Sequence, residues 1–348
     1  MRKVFVEMDK LKNLASGLGQ FCLNIGLEYQ QIAPEDLLLN FYVSRSQRNI
    51  FGHRFNYRDQ NFLHKLLPIK GVEYDVWHCI HQDSHYLPRN SKTKFILTIH
   101  DLNFLQKYSA DKCQNKLKKL QEKINRADAI TVISNYTEQE VRKNLNVKPP
   151  VYVIHNGSCL RESQVSPTID IASFGDYFFS TGIVSEKKNF HVLLPLIEHF
   201  DKMHLVIAGN SKTDYARYII DLAKQKKIAD RLHFTGVVDE NNKYHLYKHC
   251  TAFVFPSLLE GFGLPVVEAM SMGKPTFISD RSSLPEVGGK EAYYWKNFEP
   301  ANMVDIVSLG LSDHKKDAAK KKRTMGWADQ YSWRNAALKY LELYKIVI

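Results

Sequence analysis

The chain has 348 residues, of which 44% are hydrophobic, 24% charged and 12% aromatic, with only 17 glycines and 12 prolines. That balance excludes collagen-like, low-complexity and disordered classes, because apolar surface is ample to offset chain entropy. The formal charge is +11, and residues 1–160 carry most of it, with 23 basic against 15 acidic side chains; such an excess suits nucleic acid, an anionic membrane or a phosphate-bearing substrate, and charge alone does not choose.

Single cores stop growing at roughly 250 to 300 residues, so two domains are expected. The five cysteines, Cys22, Cys79, Cys113, Cys159 and Cys250, are scattered and never form a Cys-x-x-Cys pair, which argues against a disulfide framework or a structural zinc site and for a reducing cytoplasm. The amino terminus meets charge at Arg2 and Lys3, before an apolar signal region can form. No later stretch approaches eighteen apolar residues, so neither secretion by a signal nor a membrane span is expected.

Taken in chain order, strands are expected over residues 3–7, 37–43, 74–79, 95–100, 129–133 and 151–155, with helical patterns over 19–29, 111–126 and 137–145. Residues 156–176, with Gly157, Ser158, Pro167 and Gly175, have little apolar periodicity, and 161–176 reads as a linker. A second series follows, with strands over 178–182, 204–208, 232–234, 252–255, 275–279 and 292–295 and helices between them. The class is therefore α/β, with two Rossmann-like doubly wound parallel-sheet domains. They are expected at 1–160 and 177–330, with a carboxyl-terminal helix in 331–348 packing back toward the first. Ligands of such sheets sit beyond the carboxyl ends of the strands, so two facing domains would line a cleft with their strand-to-helix loops.

The richest segment runs Phe255-Pro256-Ser257-Leu258-Leu259-Glu260-Gly261-Phe262-Gly263-Leu264-Pro265-Val266-Val267-Glu268. A strand ends at Pro256, a glycine-bearing turn follows, and Pro265 sits where a first helical turn tolerates a missing N–H. Amides at that helix start, near Gly263 and Leu264, would attract a phosphate. Glu260 in the loop and Glu268 on the first turn could border one pocket and accept bonds from adjacent hydroxyls of a neutral polyol. Each of these residues taken singly has an ordinary structural explanation, as a turn glycine or a dipole-stabilising glutamate.

The whole string resembles the Glu-x7-Glu signature of retaining glycosyltransferases of family 4, enzymes of the GT-B fold, and the resemblance extends over nearly the whole chain. Ser180-Thr181-Gly182-Ile183-Val184-Ser185-Glu186-Lys187-Lys188-Asn189 resembles the family's strand-glycine-turn with a basic pair, before a helix that Asn189 could cap. The resemblance implies that Lys187 and Lys188 neutralise a donor diphosphate. Many members have Arg where this chain has Ile183, which leaves Lys187 as the second cation. Ser16-Gly17-Leu18-Gly19-Gln20-Phe21 resembles the amino-terminal glycine loop, with Gly17 approaching donor phosphate or acceptor. Thr98-Ile99-His100-Asp101-Leu102 resembles the strand whose histidine reaches the transferred sugar, and Phe234-Thr235-Gly236-Val237-Val238 the loop near the nucleobase, with Gly236 and Val237 as contacts. Ser282-Ser283-Leu284-Pro285-Glu286-Val287 matches a further family stretch read as mainly structural.

On that resemblance the implied catalytic residues are Lys188, Glu260 and His100. The implied donor-binding residues are Gly17, Lys187, Lys188, Gly236, Val237, Glu260, Gly263, Leu264 and Glu268, with Glu268 holding the ribose and Glu260 the sugar. The implied reaction is hexosyl transfer from a nucleotide sugar with retention, by front-face attack in which the leaving phosphate takes the acceptor's proton. The tract Ser279-Asp280-Arg281-Ser282-Ser283 resembles that of family members using GDP-mannose, which implies that donor over UDP-hexoses. A glycan or lipid-linked acceptor in cell-surface polysaccharide or lipopolysaccharide synthesis is expected.

No cofactor or metal is expected. His78, His81, Asp83 and His85 have neither zincin nor zinc-finger spacing, and there is no Asp-x-Asp triplet to hold a divalent ion. Residues 107–126 form a basic segment with Cys113, Leu117, Leu120 and Ile124 as an apolar stripe, its lysines expected to face outward. They would give peripheral contact with an anionic membrane at the inner face of the cytoplasmic membrane. A GT-B glycan phosphorylase, a sugar-nucleotide epimerase and, from a different class, a nucleic-acid-binding protein are the alternatives. No aromatic-basic RNA-binding signature supports the last, and no nucleic-acid partner is expected.

Overall fold

Runs such as Val4-Phe5-Val6 and Ala252-Phe253-Val254-Phe255 are wholly buried, which is what strands covered on both faces by helices require. The structure is a computed structural model and describes residues 1–14, 16–65, 73–158, 160, 162 and 164–348. It divides into two compact units, one of Met1–Gly157 with Tyr331–Ile348 and the other of Ser158–Gln330.

The first unit holds strands β1 (Arg2–Glu7), β2 (Leu37–Val43), β3 (Asn56–Asp59), β4 (Val76–Cys79), β5 (Lys94–Ile99), β6 (Ala129–Val132) and β7 (Val151–Val153). They form one sheet in the order β3-β2-β1-β4-β5-β6-β7, every neighbouring pair parallel. Strand β3 was not expected: its sequence, Asn-Tyr-Arg-Asp, has no apolar run, and the edge strand exists because its backbone pairs with β2. Helices α1 (Gly17–Ile32), α2 (Ala110–Ile124) and α3 (Asn135–Asn144) connect these strands. Ser16 caps α1, its Oγ accepting from Gly19 N at 3.0 Å, and α1 stops at Ala33, whose extended backbone is what the following Pro34 demands.

The second unit holds β8 (Tyr177–Thr181), β9 (His204–Ala208), β10 (Leu232–Gly236), β11 (Ala252–Phe255), β12 (Thr276–Ser279) and β13 (Tyr293–Trp295), in the parallel order β10-β9-β8-β11-β12-β13. Its helices are α4 (Leu194–His199), α5 (Asp214–Gln225), α6 (Glu240–His249), α7 (Leu264–Ser271), α8 (Leu284–Gly288), α9 (Pro300–Lys316) and α10 (Lys320–Ala328). Residues 164–176 lie within this unit, where Thr168 N and Ile169 N donate to Asn242 Oδ1 at 2.9 and 3.2 Å. Cys22, Cys79, Cys113 and Cys250 are buried free thiols; Cys159 lies outside the described residues. Among the described residues no helix is long and apolar enough to cross a membrane.

The last helix, α11 (Trp333–Ile346), belongs to the first unit. It docks through a chain of buried polar groups as well as through Trp333, Tyr340 and Leu343. Tyr344 OH lies 2.7 Å from His78 Nδ1 and 2.9 Å from Tyr29 OH, His78 Nε2 lies 2.7 Å from Thr98 Oγ1, and Thr98 Oγ1 lies 2.6 Å from Thr131 Oγ1. Gly157 makes room for the helix start, since a Cβ there would stand 2.0 Å from Trp333 N.

Burial, with His100 adding to it, pulls His78 down to about 3, so the ring is neutral and can serve one hydroxyl as donor and another as acceptor. The unfolded chain takes up a proton below about 6.5 that the folded ring refuses, so folding stability is lost as pH falls from 6.5 toward 3, at about 1.4 kcal/mol per pH unit for this group. In urea unfolding followed by circular dichroism, His78→Asn should lose stability less steeply than the parent between pH 6.5 and 4.5. Parallel slopes would show that this ring does not set the acid limb.

Candidate active site

The loop after β11 is held by hydroxyls. Ser257 Oγ donates to Glu260 Oε1 at 2.5 Å, Ser279 Oγ donates to Ser257 O at 2.5 Å, and Ser283 Oγ donates to Phe262 O at 2.7 Å. Glu260 N donates to Ser282 Oγ at 3.0 Å. Ser282 itself stands at φ 54°, a left-handed backbone uncommon for a residue with a side chain and typical of places where surrounding contacts over-determine the chain. The serine tract after β12 is thus the brace of the glutamate-bearing loop.

Gly263 enters α7 at φ 113°, and a Cβ there would press on Leu284 Cδ2 at 2.8 Å, so only glycine makes this turn easily. The helix start offers fewer amides than its sequence suggests. Pro265 has none, and Val266 N and Val267 N donate to Gly263 O, which leaves the N–H groups of Gly263 and Leu264 as those available to a ligand.

The loop after β8 meets this one. Lys188 is 8% exposed, and its Nζ lies 2.5 Å from Glu260 Oε1 and 4.5 Å from the centroid of the Phe255 ring. It is no solvated surface charge. Its stem crosses Gly182, where a Cβ would meet Cε at 2.9 Å. Lys187 is exposed and makes no ion pair among the described residues, while its carbonyl accepts from Leu258 N at 2.8 Å and ties the two loops together. Asn189 does not cap a helix as expected. It sits at φ 57° between two short 3-10 turns, with no side-chain capping bond, because the tight turn places it in the left-handed region.

Glu268 lies in the second turn of α7 rather than the first, 4% exposed. Lys243 Nζ is 2.9 Å from its Oε1, and Tyr247 OH donates to its Oε2 at 2.9 Å. The two expected carboxylates therefore each carry a lysine, Glu260 with Lys188 and Glu268 with Lys243. At the end of β10, Gly236 takes φ 73° with open space around its Cβ position, and Val237 is 71% exposed. An exposed apolar side chain beside an open glycine is a surface on which a flat ring can rest.

Residues 28–160 match the model described as Glycosyltransferase Family 4, and residues 170–325 the model described as Glycosyl transferases group 1. The chain belongs to glycosyltransferase family 4. It is a glycosyltransferase. The chain is 24% identical to O-antigen chain mannosyltransferase B of Escherichia coli over 290 residues, which cover 77% of this chain and 74% of that protein. It is 29% identical to the serotype-specific mannosyltransferase WbdA of Escherichia coli over 253 residues, covering 68% of this chain but only 30% of WbdA. Among solved structures, sucrose-phosphate synthase from Thermosynechococcus elongatus superposes with a TM-score of 0.77 at 16% identity, over 99% of this chain and 98% of that one. Anabaena HepE in complex with UDP and glucose gives 0.76 at 16% identity, over 99% and 100%. At these identities the likeness establishes the GT-B fold.

In the first unit of this glycosyltransferase, Gly17 opens α1 with nothing within 4 Å of its Cβ position. His100 is buried, and its Nε2 lies 2.7 Å from Ile80 O, so that nitrogen carries the proton and Nδ1 is left as an acceptor. Burial holds the ring down to about 4, so His100 is neutral near pH 7 and could accept from a sugar hydroxyl but not act as an imidazolium.

The four residues weighed for a metal are dispersed: His78 serves α11, Asp83 pairs with Lys116 at 3.2 Å, and His85 is exposed. One other group among the described residues could hold a cation, Glu7 and Asp9 with His81, whose ligand atoms lie within 4.8 Å of one another. His81 Nε2 is 3.1 Å from Asp9 Oδ1 and 3.8 Å from Glu7 Oε1, and Lys10 Nζ is 3.1 Å from Asp9 Oδ2, so Asp9 already has a lysine partner. Burial pushes Glu7 up to about 7. Sequence reasoning missed this group, because His81 is more than seventy positions from β1. It missed Lys243 and Tyr247 as well; their only signal was a spacing of four on a helix.

The basic helix differs in part from expectation. Lys112, Lys118 and Lys119 are exposed. Lys116 instead pairs with Asp83, and Lys123 Nζ donates to Gln82 O at 2.6 Å. Both partners lie in the chain that follows β4.

Proposed function

We propose that this enzyme moves a mannosyl group from GDP-mannose, with retention of configuration, to a glycan or lipid-linked acceptor in cell-surface polysaccharide or lipopolysaccharide synthesis. The observation that carries the reading is the pair of lysine-held glutamates, Glu260 with Lys188 and Glu268 with Lys243, on the loop and helix beyond the carboxyl end of β11. The Escherichia coli relatives, O-antigen chain mannosyltransferase B and the serotype-specific mannosyltransferase WbdA, support mannose. The UDP and glucose bound to HepE favour a second reading, a UDP-hexose donor.

In the proposed reaction, Lys188 and the amides of Gly263 and Leu264 stabilise the charge that grows on the departing diphosphate, and Lys187 adds an unpaired cation. An electrostatic role of this kind is worth about 3 to 4 kcal/mol per donor in sites that exclude water. Glu260 receives sugar hydroxyls while keeping Lys188 in place, and Glu268 receives those of the ribose. The leaving phosphate takes the acceptor's proton, so no separate base is required. His100, neutral, accepts from the transferred sugar, and Gly236 and Val237 lie against the base.

A panel of GDP- and UDP-sugars tests the donor by thermal shift, since a ligand at 100 times its dissociation constant adds about 2.7 kcal/mol. With the donor so found, Glu268→Gln should chiefly raise its KM, whereas Lys188→Ala should lower kcat by about a hundredfold or more with a smaller change in KM. Small and equal effects of both changes in folded protein would reject the assignment.

The proposed reaction is metal-independent, because Lys187, Lys188 and the start of α7 would offset the diphosphate charge and leave little for a divalent ion to neutralise. Turnover should persist in excess chelator. Complete loss that magnesium or manganese restores would overturn this point.

We place the enzyme in the cytoplasm at the inner membrane face, held loosely by Lys112, Lys118 and Lys119 at about 1 kcal/mol for each basic residue near an anionic leaflet. Sedimentation with anionic vesicles should therefore be strong in low salt and weak in high salt, and changing these three lysines to Glu should abolish it. Equal recovery of parent and variant in the low-salt supernatant would point to a soluble acceptor.

A further inference from the structure

Glu268 is buried, yet its carboxylate is not free to choose an orientation. Lys243 Nζ meets Oε1 at 2.9 Å, and Tyr247 OH meets Oε2 at 2.9 Å. Both donors come from α6, four residues apart, the spacing that puts two side chains on one face. Each donor is itself fixed. Lys243 Nζ lies 2.9 Å from Glu240 Oε2, one turn earlier on the same helix. Tyr247 is fully buried, its ring edge-on to Phe179 at 4.9 Å and tilted against Phe253 at 5.4 Å, and its OH lies 3.2 Å from Pro265 O at the start of α7. A carboxylate has lone pairs for about four donors, more than Lys243 and Tyr247 occupy. Orientation matters because adjacent hydroxyls have fixed spacing, and a site built to receive them rejects an analogue that lacks one.

We propose that Lys243 and Tyr247 are positioning residues that hold the Glu268 carboxylate ready for the adjacent ribose hydroxyls of a nucleoside diphosphate, and so set a preference for ribonucleotides over deoxyribonucleotides. The proposal rests on the reading of Glu268 as the ribose ligand. Neither residue touches the nucleotide; both act through Glu268. Loss of either would let the carboxylate turn, weakening the contact that depends on its direction and sparing those made elsewhere.

Calorimetric titration with GDP and 2′-deoxy-GDP, and with UDP and 2′-deoxy-UDP, tests this on the parent, Glu268→Gln, Lys243→Met, Lys243→Arg and Tyr247→Phe. The parent should bind the ribo form of its nucleotide about tenfold or more tightly than the deoxy form, the ratio expected of one hydrogen bond to a charged acceptor. Lys243→Met and Tyr247→Phe should each cut that ratio several-fold while leaving deoxy-form affinity near the parent's, and Lys243→Arg should restore it. General damage to the fold would weaken both forms alike and leave the ratio unchanged, and Tyr247→Phe preserves the buried ring. If Glu268→Gln lowers the ratio while Lys243→Met and Tyr247→Phe keep the parent's value, the positioning proposal is wrong and the role of Glu268 stands. If Glu268→Gln also keeps the parent's ratio, Glu268 does not hold the ribose, and both readings fall.

Discussion

A carboxylate and an ammonium taken out of water must find each other, and in the second unit that requirement organises the loops at the carboxyl ends of two neighbouring strands. Lys188 follows β8 and Glu260 follows β11, strands that lie side by side in the sheet, and the pair closes at 2.5 Å with both side chains nearly out of solvent. Removing one partner of such a pair typically costs about 3 to 5 kcal/mol, because the other charge is left buried alone. The hydroxyls of Ser257 and Ser282, the bond between Leu258 N and Lys187 O, and the strained backbone at Asn189 and Ser282 all serve its geometry. Fixed charge of this kind needs no rearrangement when charge develops nearby, which is the principal way proteins stabilise a departing anion.

The first unit solves a different problem with neutral groups. Its central strands bury His78 and Thr98 among apolar side chains, and the tyrosines of α1 and α11 complete their hydrogen bonds. Buried polar chains that are fully satisfied specify one packing, since any slip would leave a donor or acceptor without a partner. A purely apolar contact between α1 and α11 would tolerate a sliding register more easily. Here Tyr29 and Tyr344 meet at one point only.

Much of the architecture was legible in the sequence, because strands buried on both faces appear as continuous apolar runs: Ala252–Phe255 and His204–Ala208 were read with their observed limits. Strand β3 was not legible, since its pairing with β2 is a backbone matter that Asn56 and Arg58 do not advertise. The glutamates of the loop and of α7 could be read from their string. Their partners could not: Lys188 lies 72 positions from Glu260, and Lys243 lies 25 from Glu268, distances that only the fold brings together. The outward lysines of α2 were half right for a related reason. Asp83 and the Gln82 carbonyl come from the chain after β4, and they draw Lys116 and Lys123 inward.

The first unit is built from the two ends of the chain, Met1–Gly157 and Tyr331–Ile348. During synthesis the ribosome therefore produces seven strands whose covering helix does not yet exist. Domains usually fold as units in the order they emerge, yet this one must wait for some 170 intervening residues, the whole of Ser158–Gln330. At synthesis rates of about 5 to 20 residues per second, that wait is on the order of ten to thirty seconds. Throughout it His78, Tyr29 and the apolar ground beneath α11 lie uncovered, a surface open to chaperones and to aggregation alike. The second unit, continuous in sequence, can finish first, so the unit whose synthesis starts earlier is the one completed later.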